Sequence, residues 1–274
     1  MATLLDSIFA PEQACEGHIS ISQVLTYLRC PESYRRKYIL GEKEPPSVAL
    51  VEGGAHDRAL ERANNHKADV GADLAVEDHV ALFSDTFTDA TVEAGEELAW
   101  AEDETPDGIL ARGRKLIEAY HATIAPRLVP KDVEVRINAE IAGTPLLGYA
   151  DVIAGLDGDD APVILDYKTA KRAKTAGDLA NDLQLAIYAR ALGIERVAFV
   201  TLCKTKTPKV ELLAGVIPPE QQAWAVHVVE GVVAAINAGV FIATTTGAES
   251  SPLTSFRPVH RSWLNVPIPQ RRGG

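Results

Sequence analysis

Cysteine is scarce in this chain. Its three copies (Cys15, Cys30, Cys203) stand far apart, odd in number and without a Cys-x-x-Cys pair. That excludes a disulfide-stapled scaffold, offers no zinc motif and suits a reducing cytoplasm. Positive charge is short as well: 27 Lys and Arg against 38 Asp and Glu leave a formal net charge of −11. Such a balance argues against a general nucleic-acid coat or a membrane-surface protein, so a DNA partner would have to meet a local basic groove on an acidic body. No secretory signal is readable at the start, where Asp6 stands and a basic segment is missing. An uninterrupted membrane-length apolar run is also lacking. The nearest stretch, residues 223–243, carries His227, Glu230 and Asn237 at helical spacing, which predicts an amphipathic helix packed on the core. Internal repeats and low-complexity tracts are not seen.

What is present is the composition of a folded protein: 274 residues, 46% apolar and 24% charged, enough for a substantial core. Ser22 is positioned to cap a short helix ending near Cys30. Pro31 then opens a second helix that carries Arg35, Arg36 and Lys37 and closes at Gly41. Residues 49–65 read as a helix containing Gly53-Gly54-Ala55-His56. Each glycine there costs ~1 kcal/mol relative to alanine, which points either to close approach of a backbone or ligand or to a break at the pair. Two longer helices, 79–100 and 106–124, flank an acidic loop.

From residue 129 the period changes from helical to alternating. Residues 133–141 read as a strand, followed by two β-prone runs, 146–154 and 163–167, around the turn Leu-Asp-Gly-Asp-Asp-Ala-Pro. That is an antiparallel hairpin. A helix over 178–192, a buried-type strand over 196–203, an edge strand over 210–216 and the amphipathic helix over 219–238 complete the order. Three meandering strands with a helical crossover to a fourth make a mixed sheet with helices on both sides. The tail from Thr244 reads as irregular and folded back on the body, anchored by Trp263.

The chemistry lies in the hairpin. Asp151 and Asp166 sit among aliphatic neighbours, where an unpaired ionised carboxylate is expensive. Alternation puts Asp166 and Lys168 on one face and Tyr167 on the other. Two carboxylates and an ammonium converging there can hold a divalent cation and activate a water, or can simply be a buried ion pair that pins the hairpin. On the following helix Gln184 and Tyr188, four apart, share a face. His56 follows the glycine pair; a lone helical histidine is compatible with a ligand or with a packed core residue.

His56 after its glycine pair, Gly148-Tyr149-Ala150-Asp151, Asp166-Tyr167-Lys168 and Gln184-Leu-Ala-Ile-Tyr188, with the opening Ser-Gln-Val-Leu-Thr-Tyr-Leu-Arg-Cys-Pro-Glu-Ser-Tyr-Arg, together resemble the PD-(D/E)xK nuclease superfamily. The nearest branch is the RecB-like exonucleases, which include CRISPR-associated members, and the resemblance spans about residues 19 to 215. It implies an α/β, restriction-endonuclease-like αβββαβ core with additional N- and C-terminal helices. It further implies one integrated domain: a helical region 1–128 walling the site, a nuclease core 129–243 and a tail 244–274 packed on the body. The resemblance makes His56, Asp151 and Asp166 metal ligands, with the backbone carbonyl of Tyr167 as a further one. Lys168 would position or deprotonate the attacking water, and Gln184 and Tyr188 would contact the scissile region or DNA backbone. Oxygen-rich ligation suits Mg²⁺, while an imidazole among carboxylates tilts preference toward Mn²⁺.

The activity implied is metal-dependent hydrolysis of DNA at single-stranded or duplex ends, leaving 5′ phosphates, in replication, recombination or repair. A non-catalytic DNA-end-binding module and a structure-specific endonuclease are the alternatives. Iron–sulfur members of the branch use four cysteines, three of them near the C-terminus. Cys30 stands at the first position, but no cysteine follows Thr244, so no iron–sulfur cluster is expected. Packing of residues 256–263 around Cys30 would replace it. Arg35, Arg36, Lys37, Lys171, Arg172, Lys174, Lys204 and Lys206 are candidates for phosphate contact or for a solvated face. Glu134, on the first strand, is left outside the site.

Overall fold

The computed structural model describes residues 17–102 and 104–244. A two-residue strand β1 (Ile19–Ser20) leads straight into α1 (Ile21–Arg29). Ser20, rather than Ser22, is the cap, its hydroxyl accepting from the Gln23 N–H at 3.2 Å, because the two residues before the helix are held extended against the sheet. Pro31 opens α2 (Pro31–Tyr34), which loosens into a π-turn over Arg35–Ile39.

Three helices follow: α3 (Val48–Val70), α4 (Val76–Ala94) and α5 (Pro106–Thr123). Helix α3 runs unbroken through Gly53-Gly54, and a side chain at Gly53 would meet nothing within 4 Å. Of the two readings the sequence offers, the break is therefore not formed, and close approach is not found at Gly53. The apolar faces of the three helices interlock around Val51, Ala55, Phe83, Phe87 and Ile117. Burying Phe83 and Phe87 fully contributes roughly 1.5–3 kcal/mol each.

The meander is β2 (Leu128–Ile141), β3 (Thr144–Leu156) and β4 (Asp159–Ala170). Its turns are the pairs Ala142-Gly143 and Asp157-Gly158, with φ of 51°, 72°, 55° and 80°. Both residues of each pair lie in the left-handed region, as two-residue hairpin turns matching the strand twist require. The second turn is tighter than the seven-residue stretch read from sequence, since β4 already pairs at Asp159.

The crossover is two helices, α6 (Ala176–Ala180) and α7 (Leu183–Leu192), where the sequence reads as one. Two competing caps split it. Thr175 and Asp178 form a reciprocal capping box on α6, and Asp182 accepts from the Leu185 N–H at 2.8 Å to start α7. Strands β5 (Arg196–Cys203) and β6 (Lys209–Val216) and helix α8 (Pro219–Asn237) complete the described chain.

Across the sheet, β2 pairs antiparallel with β3, β3 with β4, and β6 with β5, while β4 and β5 are parallel. The result is the mixed sheet expected. Strand β1 runs parallel to β3 at Leu146 and Leu147, the stretch of β3 that β4 does not cover. Helices α1, α7 and α8 pack on one face with Ile164, Val197 and Phe199. Helices α3 and α5 pack on the other with Leu165, Ala198 and Val200. Among the described residues no helix is long and apolar enough to cross a membrane.

Candidate active site

The β3–β4 ladder runs up to the Val152–Leu165 pair, while β2 follows β3 onward to its start. The sheet thus forks, and the first residues past the vertex are Asp151 and Asp166. At the fork the Tyr167 N–H donates to Asp151 Oδ2 at 2.7 Å, so a side chain satisfies a main-chain donor that the diverging strand leaves open. Asp166 is 3% exposed. Lys168 Nζ donates to its Oδ1 at 2.9 Å and stands 2.7 Å from Oδ2, without hydrogen-bond alignment at the second oxygen. Tyr167 points to the opposite face, where its hydroxyl meets Asn64.

Electrostatics follow from this packing. Burial raises the Asp151 carboxyl, and Asp166 raises it further, against the pull of Lys168 and the Tyr167 N–H. Burial likewise raises Asp166, opposed by Lys168. Burial alone would discharge Lys168, but Asp166, Asp151 and Asp182 outweigh it and hold its ammonium above the ordinary lysine value.

On the α3 side lies a cavity of ≈140 Å³ lined by Asp57, Glu61, Glu134, Asp151, Val152 and Tyr167. Asp57 and Glu61, one turn apart, bring two more carboxylates to Asp151. As a residue Asp57 is exposed, and it lines the cavity. Burial, with Asp166 and Glu134 and against Lys168, pushes its carboxyl up to about 7. Glu134 is raised by burial and by Glu61, against Arg58. It lies between the Val133–Val152 and Val135–Ala150 pairs, hence opposite Asp151, with a left-handed φ of 53°. For a residue with a Cβ that conformation costs about 1–2 kcal/mol. Glu134, placed outside the site by the sequence, thus lies on the cavity wall, while Asp57 and Glu61 carry only a weak local signal, the i, i+4 spacing of two acids on a helix.

Helix α7 closes the other side. Tyr188 is buried beside Gly148, where a Cβ would lie 2.7 Å from its hydroxyl oxygen. Burial and the nearby Asp166 keep this phenol protonated well above the ordinary tyrosine value. Gln184 Nε2 reaches its hydroxyl only at 3.5 Å. Asp151, Asp166, Lys168 and Tyr188 are thus within one another's electrostatic reach, with Gln184 at the rim.

His56 is not part of this group. Its ring is fully buried, stacked on Phe83 at 4.2 Å between centroids, with neither nitrogen hydrogen-bonded. Burial, with Lys204 and Arg112, lowers it to about 3. On a helix, neighbours project about 100° apart, so when Asp57 faces the cavity His56 turns into the α4 interface. Among the described residues no cluster of three or more His, Cys, Asp or Glu stands in position to hold a metal ion. The expected His56–Asp151–Asp166 grouping is therefore not formed in this structure.

Most of the candidate basic residues have other partners. Arg35 pairs with Glu32, Arg36 with Glu42 and Arg172 with Asp178. Lys204 is buried against Glu52, which Arg112 grips through both oxygens. Lys37 lies over Tyr38. Lys174 lies over Phe199, the register partner of Asp166, and its charge acts on Asp166. Around Cys30, Tyr27 and Tyr34 pack with Phe241, and Thr244 Oγ1 donates to the Arg29 carbonyl. Hydrogen bonds from Ser33 and Thr244 outweigh burial and bring the Cys30 thiol to about 7. The expected role of residues 256–263 lies outside the described residues.

The family model of the PD-(D/E)XK nuclease superfamily matches residues 18–249. Among solved structures, one from Eubacterium rectale described as a "putative exonuclease" is similar with a TM-score of 0.53 at 14% identity, over 96% of this chain and 98% of that one. SSO0001 is similar with a TM-score of 0.32 at 18% identity, over 78% and 85% of the two chains. No curated protein matches the sequence.

Proposed function

This chain belongs to the PD-(D/E)XK nuclease superfamily, and on that premise we propose that it is a metal-dependent DNA exonuclease. It hydrolyses phosphodiester bonds at strand ends and leaves 5′ phosphates. The observation that carries the reading is the fork: Asp151 and Asp166 stand side by side where β3 and β4 separate, with Lys168 bonded to Asp166.

The carboxylates fit a divalent cation by donor chemistry. Burial raises Asp151, Asp166, Asp57 and Glu134, and neighbouring acids raise Asp151, Asp57 and Glu134 further, against Lys168, Lys174 and Arg58; hard oxygen donors of this kind suit Mg²⁺ or Mn²⁺. Asp151 and Asp166 would hold the ion, and His56 as oriented would not. When bound, such an ion supplies charge neutralisation at the phosphate and a more acidic water. The chain's own groups do the rest. Lys168, kept charged by Asp166, offers an ammonium to negative charge growing on phosphorus and orients the attacking water. Tyr188, kept protonated, donates a hydrogen bond toward a phosphate oxygen.

The test is a labelled DNA oligonucleotide in Mg²⁺ and in Mn²⁺. Wild type is expected to release nucleotides from the ends, and Asp166→Asn and Lys168→Ala to abolish release while binding stays nearly intact. Cleavage by either variant at the wild-type rate sinks the assignment of the chemistry. Binding without turnover by wild type in both metals would instead make this a DNA-end-binding module.

A further inference from the structure

Asp166 and Lys168 project from one face of the Asp-Tyr-Lys strand, and Tyr167, which also lines the cavity beside Asp57 and Asp151, projects from the other. On that second face, Tyr167 is 6% exposed, Asn64 2% and Tyr120 3%, and the three form one closed network. Asn64 Nδ2 spends one hydrogen on the Leu60 carbonyl at 2.8 Å and donates the other to the Tyr167 hydroxyl at 3.0 Å. The Tyr167 and Tyr120 hydroxyls share a hydrogen at 3.2 Å. Three elements therefore meet at one phenol oxygen: α3, α5 and β4. The main chain of the same residue is the donor that holds Asp151 Oδ2 at 2.7 Å.

We propose that Tyr167 is a positioning residue: its phenol, tied to α3 and α5 behind the sheet, fixes the N–H that sets the Asp151 carboxylate beside Asp166. The physical argument is one of missing constraint. Past the Val152–Leu165 pair no ladder bond ties β4 to β3, so the separation of the two acids is not set by sheet pairing. The Tyr167 N–H contact bridges the fork, and a contact through one hydrogen bond holds its geometry only if the donor cannot rotate away. The β4–β5 ladder, which continues through residues 166–170, holds the strand from its other edge, and the buried phenol network adds the restraint that fixes residue 167 toward β3. It also binds α3, which carries Asp57 and Glu61, to the strand that carries Asp166, so both walls of the cavity share one anchor. A fully satisfied buried polar network is rigid in the way this task demands.

The catalytic consequence rests on the nuclease reading; the geometric claim does not. Amide hydrogen exchange at residue 167 tests the geometry directly in Tyr167→Phe and Asn64→Leu. Both should exchange that amide roughly tenfold faster, the scale of one lost buried hydrogen bond, while Leu165 and Val200 amides keep their protection. Val163→Ala, a core truncation outside the network, should leave residue 167 as protected as its neighbours. On DNA, both network variants should lose roughly tenfold in kcat with KM unchanged, and the double variant should be no worse than the poorer single. Wild-type protection of the 167 amide in both variants overturns the proposal, as does faster exchange spread evenly along β4 or faster exchange with undiminished kcat. A wild type that binds but does not cut DNA would remove the nuclease reading and leave the exchange result to decide the geometry.

Discussion

The Tyr188 hydroxyl occupies the space that a side chain on Gly148 would need. A Cβ there would stand 2.7 Å from Oη and 2.9 Å from the ring, and Tyr188 is only 4% exposed, so the ring has no room to withdraw. Gly148→Ala should therefore displace the tyrosine from the two acids and destabilise the protein by about 1–3 kcal/mol through overpacking. Tyr188→Phe in the same background should recover part of that stability and none of the cleavage. Thermal denaturation and a DNA digestion assay on the two variants check this.

Acid should weaken the fold through His56. Its imidazole takes a proton at 6.5 when unperturbed, and only at about 3 when buried against Phe83. Between those values the unfolded state binds the extra proton, so the contribution is intact above the unfolded pKa and lost progressively as pH falls toward the folded one. His79, lowered to about 3 chiefly by burial and then by His121 and His56, acts with the same sign. Replacing His56 by leucine should shrink the stability lost between about pH 7 and pH 4.5 by about 2 kcal/mol. Urea titrations at several pH values measure it.

Glu52 is fully buried and answers two cations, Arg112 at 2.7 and 2.8 Å and Lys204 at 2.9 Å. Glu52→Ala would leave both without that carboxylate, which costs about 3–5 kcal/mol in a buried setting. The loss joins α3, α5 and the end of β5 in one defect, so denaturant midpoints should fall well below those of Glu32→Ala, whose ion pair is partly exposed.

Charge removal separates the basic residues by their neighbours. Lys174→Ala, on the Asp166 side of the sheet, should lower the salt dependence of DNA binding by a slope of about 1. Arg35→Ala, committed to Glu32, should leave the slope unchanged. Binding isotherms at a series of salt concentrations distinguish the two.

The sequence made the hairpin and its two acids readable because strand alternation is local: Asp166 and Lys168 share a face whatever packs above them. Helix α3 shows the opposite case. Its length and continuity follow from local pattern, but which of His56 and Asp57 turns toward the sheet depends on how α4 docks, and Phe83 decides it by stacking on the imidazole. The sequence alone therefore does not mark Asp57 and Glu61 as facing the sheet. The split between α6 and α7 was written in Thr175, Asp178 and Asp182, three capping residues in eight positions, and was obscured by the strong apolar run of α7. The mixed sheet needed only element order, whereas β1 beside β3 involves two residues too few to carry any periodicity.

The two-residue turn at Asp157-Gly158 has a consequence for how this protein can vary. With the register shift between Ala154 and Leu156 it is the ruler of the hairpin: the turn and that shift together are what land one acid opposite the other. An odd insertion there would swing one arm by half a pleat and replace the acid beside Asp151 with Leu165 or Tyr167. Substitutions along the arms are tolerated or not on their own merits, but a change of length at this bend would silence the chemistry without touching a single reacting group.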